Sequence, residues 1–414
     1  MKNKNFLIPV IGFDEIIVDY AKGSFVFDSS NKKYLDLNSG QFCTVFGHCN
    51  TEIDHKIKEC IDSIVHTSTG MLSEKVLEFS QKMHQITNDI DGYSILLSTG
   101  AEAVEFCLRY AKAIKNKDGI VCFNVGYHGL TLGAQSVTYG GVYTHPHINS
   151  IYPFEVPNNL FDEKELEKSI GELKELLKKK HNNIAAVLFE PIVSVGGMIF
   201  PPEKFFCAVR KICDEFGILL IFDECQTGFG RLGEWFAYQK INVKPDMLAT
   251  AKGVGAGFPV AISIINGKWV PKEGLMPITH FSSHQNDNFA ACTVLAGINY
   301  IEKHKILNMV KVKGELFLNE LKALEKRCKF VKNARGSGLM MGIDLHSKFV
   351  HNYRAVYQEI HQNILKNGVI IQGTNGGKTL RFLPDYLMTI ENFKFAISVI
   401  EDELNSLDWS MYAN

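Results

Sequence analysis

The stretch ILLIFDECQTGFGR at 218–231 places Asp223 directly after five apolar residues. A short apolar run without alternation is typical of a strand that is covered on both faces. Asp223 is then expected at the carboxyl end of that strand, where open α/β sheets bind their ligands. A buried carboxylate at this position needs a cation or hydrogen-bond donors as partners. The alternative is an aspartate that caps the next turn.

Similar short apolar runs occur on both sides of this stretch, and together they predict the fold class. Several of them are bounded by helical patterns, which favours an α/β fold with a mostly parallel sheet. The runs are YSILL (93–97), GIVCF (119–123), AAVLF (185–189) and PVAISII (259–265).

The pattern changes after residue 265, where longer helices alternate with short strands. We therefore predict two domains: a large α/β domain over residues 51–299, and a small α+β domain built from residues 1–50 and 300–414. Clefts usually form where domains meet, so the active site is expected between the two.

Composition excludes several classes of protein. The 414 residues carry a formal net charge of −1, which does not suit a nucleic-acid partner. No apolar run is long enough to span a bilayer, and the apolar stretch at 6–13 is too short for a secretory signal. The ten cysteines are scattered without CxxC pairs, which favours reduced thiols over disulfides or a metal site. These features predict a cytoplasmic protein.

The segment LLSTGAEAVE at 96–105 combines the end of a strand, small residues and the start of a helix. A helix N-terminus presents free N–H groups and partial positive charge, so it binds phosphate well. Gly100 and Ala101 would allow the backbone to approach such an anion. An ordinary capped turn is the alternative interpretation.

Lys252 lies between an apolar run and a glycine-rich stretch in PDMLATAKGVGAGFPVA at 245–261. A lysine in this place is either a surface residue or one with a special role. A desolvated lysine has a lowered pKa and can form a Schiff base. The GVGAG string does not have the glycine spacing of a dinucleotide loop, which disfavours a nicotinamide dehydrogenase.

In this order the motifs resemble the class III aminotransferases among the fold-type I pyridoxal-phosphate enzymes. Tyr127-His128-Gly129 lies between the phosphate turn and DECQTGFGR, and the resemblance covers essentially the whole chain. It implies pyridoxal 5′-phosphate as the cofactor, a large domain with a seven-stranded sheet, and a homodimer with shared active sites. The resemblance also extends to YLDLNSG (34–40), GHC (47–49), Glu190-Pro191 and LRFLP (380–384).

The resemblance also implies roles for individual residues. Lys252 would hold the cofactor as a Schiff base and then move the substrate's α-proton, while Asp223 would pair with the ring nitrogen. Tyr127 would stack on the ring, and Ser283 would reach the phosphate bound by the neighbouring subunit. Further cofactor contacts are implied for Gly100, Ala101, His128, Glu190, Cys225 and Gln226.

Arg381 matches the arginine that binds the substrate's α-carboxylate, and a planar guanidinium suits a two-pronged hydrogen bond to a carboxylate. A strand arginine paired with Asp385 is the alternative. Many family members read EPVQGEGG, and their second glutamate can shield this arginine. Here the segment 190–197 reads EPIVSVGG, with Val195 in that place. This favours α-amino acids over ornithine- or GABA-type ω-amines.

The motifs SGQ (39–41) and HQND (284–287) look most like the dialkylglycine decarboxylase branch. In that branch the glutamine matched by Gln41 contacts the carboxylate that is lost. Val195 and Tyr127 depart from its pattern, so ordinary transamination is the leading hypothesis. Decarboxylation-dependent transamination, a racemase or aminomutase, and a non-catalytic binding protein on this fold remain the alternatives. The amino donor and acceptor stay open.

Overall fold

The computed structural model describes residues 16–141, 150–157 and 162–412, together with Ile8 and Asp14. The apolar stretch at 6–13 lies outside these residues except for Ile8, so its interpretation stays a prediction. None of the described helices is long and apolar enough to cross a membrane.

The described strands form three sheets. In chain order they are β1 (Val18–Lys22), β2 (Phe25–Asp28), β3 (Lys33–Asp36), β4 (Tyr93–Leu97), β5 (Gly119–Phe123), β6 (Ile151–Phe154), β7 (Ile184–Phe189), β8 (Leu219–Asp223), β9 (Met247–Thr250), β10 (Ala261–Ile265), β11 (Val331–Ser337), β12 (Met340–Leu345), β13 (Val369–Ile370), β14 (Gln372–Thr374) and β15 (Thr379–Phe382).

Helices connect most of these strands, as the alternation of apolar patterns predicts. They are Thr51–Ile61, Glu74–Ile86, Gly100–Lys115, Leu132–Val137, Glu163–Lys180, Glu203–Phe216, Ala237–Lys240, Asn288–Lys303, Ile306–Arg327, Tyr353–Lys366 and Ile390–Ser406.

The large sheet has seven strands in the order β4-β10-β9-β8-β7-β5-β6. All neighbours from β9 to β6 pair in parallel, whereas β10 is antiparallel to both of its neighbours. Every residue of β5, β7 and β8 is buried, because helices cover both faces of such a sheet. The prediction of an α/β fold with a mostly parallel sheet is confirmed.

The register of this sheet brings the chemically important segments to one edge. β8 and β9 pair with Asp223 opposite Ala249. Lys252 follows Ala249 by three residues, so it comes soon after the end of β9 that lies beside Asp223. β4 is antiparallel to β10, which is antiparallel to β9. The carboxyl end of β4, and with it the start of Gly100–Lys115, therefore lies at the same edge as Asp223 and Lys252.

The two smaller sheets have the orders β1-β2-β3-β13 and β11-β12-β15-β14. β13 pairs in parallel with β3, with Val369 opposite Leu35, so the N-terminal and C-terminal parts of the chain share one sheet. Arg381 lies on β15, between β12 and β14. The domain boundaries at residues 50 and 300 stay a prediction.

The cysteines differ from the expectation in one respect. Cys60 and Cys292 form a disulfide that joins the helices Thr51–Ile61 and Asn288–Lys303. The expectation that all thiols are reduced is therefore wrong for this pair, because the packing of two helices brings residues 232 positions apart into contact. The other eight cysteines are free. The cytoplasmic location stays a prediction.

Candidate active site

A cavity of about 390 Å³ lies at the edge of the sheet where β8 and β9 end. Its walls come mainly from segments that follow five strands, β3, β4, β5, β8 and β9, and the carboxyl ends of strands are the usual place of a ligand site in an α/β fold. Of the residues predicted from the sequence, the cavity brings together Gln41, Gly100, Ala101, Tyr127, His128, Asp223, Cys225 and Lys252.

Asp223 and His128 form a fully buried pair on the floor of this cavity. His128 Nδ1 lies 2.7 Å from Asp223 Oδ2, and the N–H of Cys225 donates to Asp223 Oδ1 over 3.0 Å. Burial alone would raise the pKa of Asp223, but the hydrogen bond and charge of His128 lower it. Burial would likewise lower the pKa of His128, but Asp223 raises it. Asp223 is therefore an anion, and His128 donates through Nδ1.

Lys252 begins a tight turn, Lys252–Gly255, directly after β9. Its φ of +56° is in the left-handed region, which a residue other than glycine adopts at a cost. Among the described residues, no carboxylate forms an ion pair with Lys252. Its Nζ lies 6.0 Å from the centre of the Phe42 ring. The amine is thus held in the cavity and is not bound in a salt bridge.

The N-terminus of the helix Gly100–Lys115 forms another wall of the cavity. Thr99 caps this helix by accepting the N–H of Glu102 over 3.2 Å, and small residues keep the approach to it open. A Cβ at Gly100 would meet Cys225 Sγ at 3.0 Å, and a Cβ at Gly129 would meet Ala101 Cβ at 2.5 Å. The contact at Gly129 excludes a side chain and the one at Gly100 disfavours it, and the start of the helix provides N–H groups that suit an anion.

The segment Ser39–Phe42 reaches the cavity through a strained backbone. All four of its residues have positive φ, between 46° and 70°, and each non-glycine residue there costs about 1 kcal/mol or more. Asp36 holds the turn by accepting the N–H of Gly40 over 2.9 Å. The result places Gln41 at the exposed rim of the cavity and buries Phe42.

Arg381, like Lys252, lies near the Phe42 ring. The Phe42 ring centre is 5.2 Å from the Arg381 guanidinium carbon, and Arg381 is only 6% exposed. Arg381 donates to Ser194 Oγ over 3.0 Å and to Gln372 Oε1. The alternative pairing with Asp385 does not occur, because Asp385 instead accepts the N–H of Leu387 over 2.8 Å.

Burial shifts the pKa values of two charged groups near the cavity. It lowers the pKa of Arg381 to about 10 and raises the pKa of Glu190 to about 7. Glu190 accepts the N–H of Tyr127 over 2.8 Å, which fixes the loop that carries Tyr127 and His128. Glu190 therefore supports the wall of the cavity from behind, although it is not part of its lining.

Four of the predicted residues are not part of the cavity lining: Glu190, Gln226, Ser283 and Arg381. Gln226 is buried, and its Oε1 has no hydrogen-bond partner among the described residues. Ser283 is exposed. The neighbouring Asp287 accepts hydrogen bonds from Nδ1 of both His66 and His284, over 2.9 Å and 2.6 Å.

Sequence reasoning missed Phe42, Ser194 and Gln372, which surround Arg381. The sequence contains one indication for Gln372: Asn375-Gly376-Gly377 between two short β patterns predicts a hairpin, and a hairpin sets residues before and after the turn opposite each other. Phe42 and Ser194 have no comparable signature, because they approach Arg381 from distant parts of the chain.

Comparisons with known proteins agree with this geometry. Residues 12–404 match the family model described as "Aminotransferase class-III". The LysW-aminoadipate semialdehyde/glutamate semialdehyde transaminase of Sulfolobus acidocaldarius is 31% identical over 97% of this chain and 98% of that relative. The acetylornithine aminotransferase of Methanosarcina acetivorans is 30% identical over 97% and 94% of the two chains.

Solved structures show the same fold. A PLP-bound amine transaminase from an uncultivated Pseudomonas species superposes with a TM-score of 0.90. The similarity covers 97% of this chain and 99% of that chain at 23% identity. A transaminase from the marine bacterium Virgibacillus gives a TM-score of 0.89 at 22% identity, over 97% and 96% of the two chains.

We predict that Glu190→Gln reduces the loss of folding stability that the wild-type protein shows as the pH rises. The folded pKa of about 7 lies above the ordinary 4.5, so between these values only the folded state keeps the proton. Stability therefore falls as the pH rises through this window, by about 3 kcal/mol in total. An amide at position 190 does not ionise, and its Oε1 can still accept the Tyr127 N–H.

Thermal unfolding at about pH 5 and about pH 8 measures this effect, since the two pH values bracket most of the window. The exposed Glu172 supplies the control, because Glu172→Gln should leave the pH dependence unchanged. Parallel stability profiles for the wild type and Glu190→Gln would contradict the prediction.

Proposed function

The chain belongs to the class III aminotransferase family, and we propose that its amino donor is an amino acid whose α-carboxylate binds to Arg381. The enzyme is a transaminase, and its cofactor is pyridoxal 5′-phosphate. One observation carries the proposal about the donor: Arg381 is a buried cation that forms no ion pair with any described carboxylate.

The residues of the cavity fit the cofactor. The cradle at Gly100 and Gly129, which a Cβ would fill, suits a phosphate group. Asp223 is a buried anion that can pair with a protonated ring nitrogen. Tyr127 lines the cavity where an aromatic side chain could stack on a ring. Gln226 has an unpaired buried Oε1 that could accept a hydrogen bond from the ring hydroxyl.

Lys252 and Asp223 would perform the proton chemistry. The bound cofactor supplies an electron sink and carries the amino group from donor to acceptor. Lys252 Nζ holds the cofactor and is the base that moves the proton at the substrate's Cα. Asp223 keeps the ring nitrogen protonated, and His128 orients the Asp223 carboxylate through Nδ1. The buried Phe42 ring, which lies near both Lys252 and Arg381, would limit the access of water to them.

The donor's carboxylate would be directed by Arg381. Ser194 and Gln372, which accept hydrogen bonds from Arg381, are both neutral, so the charge of the guanidinium remains available to a substrate. Val195, an aliphatic residue, cannot compete for it. The matched relatives are named for acetylornithine and for semialdehydes. We propose instead a donor whose carboxylate and amino group share one carbon.

We predict that Arg381→Ala reduces kcat/KM for α-amino acids about 10- to 100-fold more than for amines without a carboxylate. A charge-assisted hydrogen bond contributes about 1.5–3 kcal/mol, and only the carboxylated donors lose it. Steady-state rates with a panel of amino acids and simple amines measure the ratio. Equal losses for both kinds of donor would remove the support for the proposal.

Decarboxylation-dependent transamination is a second candidate, and the position of Gln41 favours it. Gln41 lines the same cavity as Lys252 and is held there by the strained Ser39–Phe42 turn. There it could contact a substrate carboxylate, and the bound cofactor would supply the electron sink that loss of this carboxylate as CO₂ requires. Val195 provides no polar side chain for such a carboxylate, which favours ordinary transamination.

We predict that 2-aminoisobutyrate, which has no α-hydrogen, reacts more slowly than the best α-hydrogen amino acid. With pyruvate as acceptor, the measurements are CO₂ release and alanine formation. Turnover of 2-aminoisobutyrate above that of every α-hydrogen donor would make decarboxylation the main activity.

We also infer that the enzyme is a homodimer whose active sites are shared. Met71, Leu72 and Leu130 are each about two-thirds exposed, and their burial against a second subunit would remove apolar surface from water. Leu130 also lines the cavity, so a partner that covers it would help to close the site. Ser283 is exposed and free to reach a second subunit.

We predict a mass in solution of twice the 46.5 kDa of one chain, and weaker cofactor retention in Ser283→Ala. Analytical ultracentrifugation and dialysis followed by absorbance measure the two quantities. A fully active species of 46.5 kDa would contradict the dimer.

A further inference from the structure

We propose that Gln372 is a specificity-determining residue, whose neutral amide holds Arg381 in place and leaves its positive charge for the donor's carboxylate. This inference rests on the proposed function of Arg381. It adds that the enzyme's preference for carboxylated donors depends on an uncharged side chain at position 372, because a carboxylate there would occupy the guanidinium itself.

The sheet register fixes Gln372 beside Arg381. β14 and β15 pair antiparallel, with Gln372 directly opposite Arg381, and side chains of opposed residues lie on the same face. Gly373, the next residue of β14, packs closely against the Tyr357 ring, since a Cβ at position 373 would lie 2.4 Å from that ring. The contact between the two side chains is thus set by the backbone and not by a mobile loop.

The hydrogen-bond chemistry fixes the orientation of the amide. A guanidinium only donates hydrogen bonds, so the Gln372 oxygen must face Arg381. The Gln372 Nε2 group then points away from the guanidinium, and it has no hydrogen-bond partner among the described residues. Arg381 uses two of its five N–H donors on Gln372 and Ser194. Three remain for a ligand.

Ser194 is the second neutral partner, and it belongs to the same assembly. Its hydroxyl lies 3.3 Å from Met198 Sδ and can donate to it, while Ser194 Oγ accepts from Arg381. Thr374 Oγ1 hydrogen-bonds to the carbonyl oxygen of Val195, which ties β14 to the segment that contains Ser194. Both acceptors are therefore positioned before any substrate binds.

The electrostatics of the buried site make the neutrality of these partners important. Charges interact more strongly away from water, and Arg381 is 6% exposed. A glutamate at position 372 would sit in hydrogen-bond contact with Arg381 and neutralise it within the protein. A donor carboxylate would then meet a neutral ion pair in place of a free positive charge, whereas a donor without a carboxylate would lose nothing.

The test compares Gln372→Glu with Gln372→Met, which has similar length and no charge. The probes are two donor pairs that differ only by the carboxylate: L-alanine with ethylamine, and L-phenylalanine with 2-phenylethylamine. We expect Gln372→Glu to lower the ratio of kcat/KM values, amino acid over amine, by about tenfold or more through KM. Gln372→Met should keep a preference for the amino acid.

Calorimetric binding of 3-phenylpropionate to the holoenzyme gives a readout independent of turnover. We expect the Kd to rise about tenfold or more in Gln372→Glu and much less in Gln372→Met. The visible absorbance of each variant verifies that the cofactor is loaded. Equal changes in both variants would mean that Gln372 is only structural and would overturn the inference, as would no change in either.

Arg381→Ala separates this inference from the function on which it rests. If Arg381→Ala lowers the donor ratio and Gln372→Glu does not, the inference about Gln372 is wrong and the function of Arg381 stands. If Arg381→Ala leaves the ratio unchanged, the proposed function is itself wrong.

Discussion

The parallel alignment of β8 and β9 is the constraint on which the active site depends. It sets Asp223 opposite Ala249, so the anion and the amine of Lys252 emerge at one edge of the sheet. β5 and β7 run in the same direction, so the loops that follow them and carry His128 and Glu190 begin at this edge as well. A slip of this register by one residue would turn Asp223 to the other face of the sheet.

Two features of the site are energetically unfavourable in the folded protein. The Ser39–Phe42 turn has positive φ at every residue, and Arg381 is buried without an ion-pair partner in the part of the chain that the structure describes. Both would be unfavourable in a protein that only had to fold. Under the proposed function, both would become useful when a substrate carboxylate enters beside Phe42 and supplies the negative charge that Arg381 lacks. The same arrangement explains why neutral residues, Ser194 and Gln372, surround the guanidinium.

The sequence was sufficient to predict the features that follow from local patterns. Apolar runs predicted the buried strands, and the resemblance of the motifs predicted the family and the cofactor, both now confirmed. The contacts of Arg381 could not be predicted, because Phe42, Ser194 and Gln372 reach it through tertiary packing. Cys60 and Cys292 illustrate the same limit, since only the packing of two helices brings them together.

The central claim is that Lys252 carries the cofactor, and chemical mapping tests it most directly. Borohydride reduction of the holoenzyme would make the bond between lysine and cofactor permanent, and proteolysis with mass spectrometry would locate it. We expect the added mass on one peptide, the one that contains Lys252, with denatured enzyme as the control for unspecific labelling. A modification on another lysine, with the Lys252 peptide unlabelled, would contradict the account.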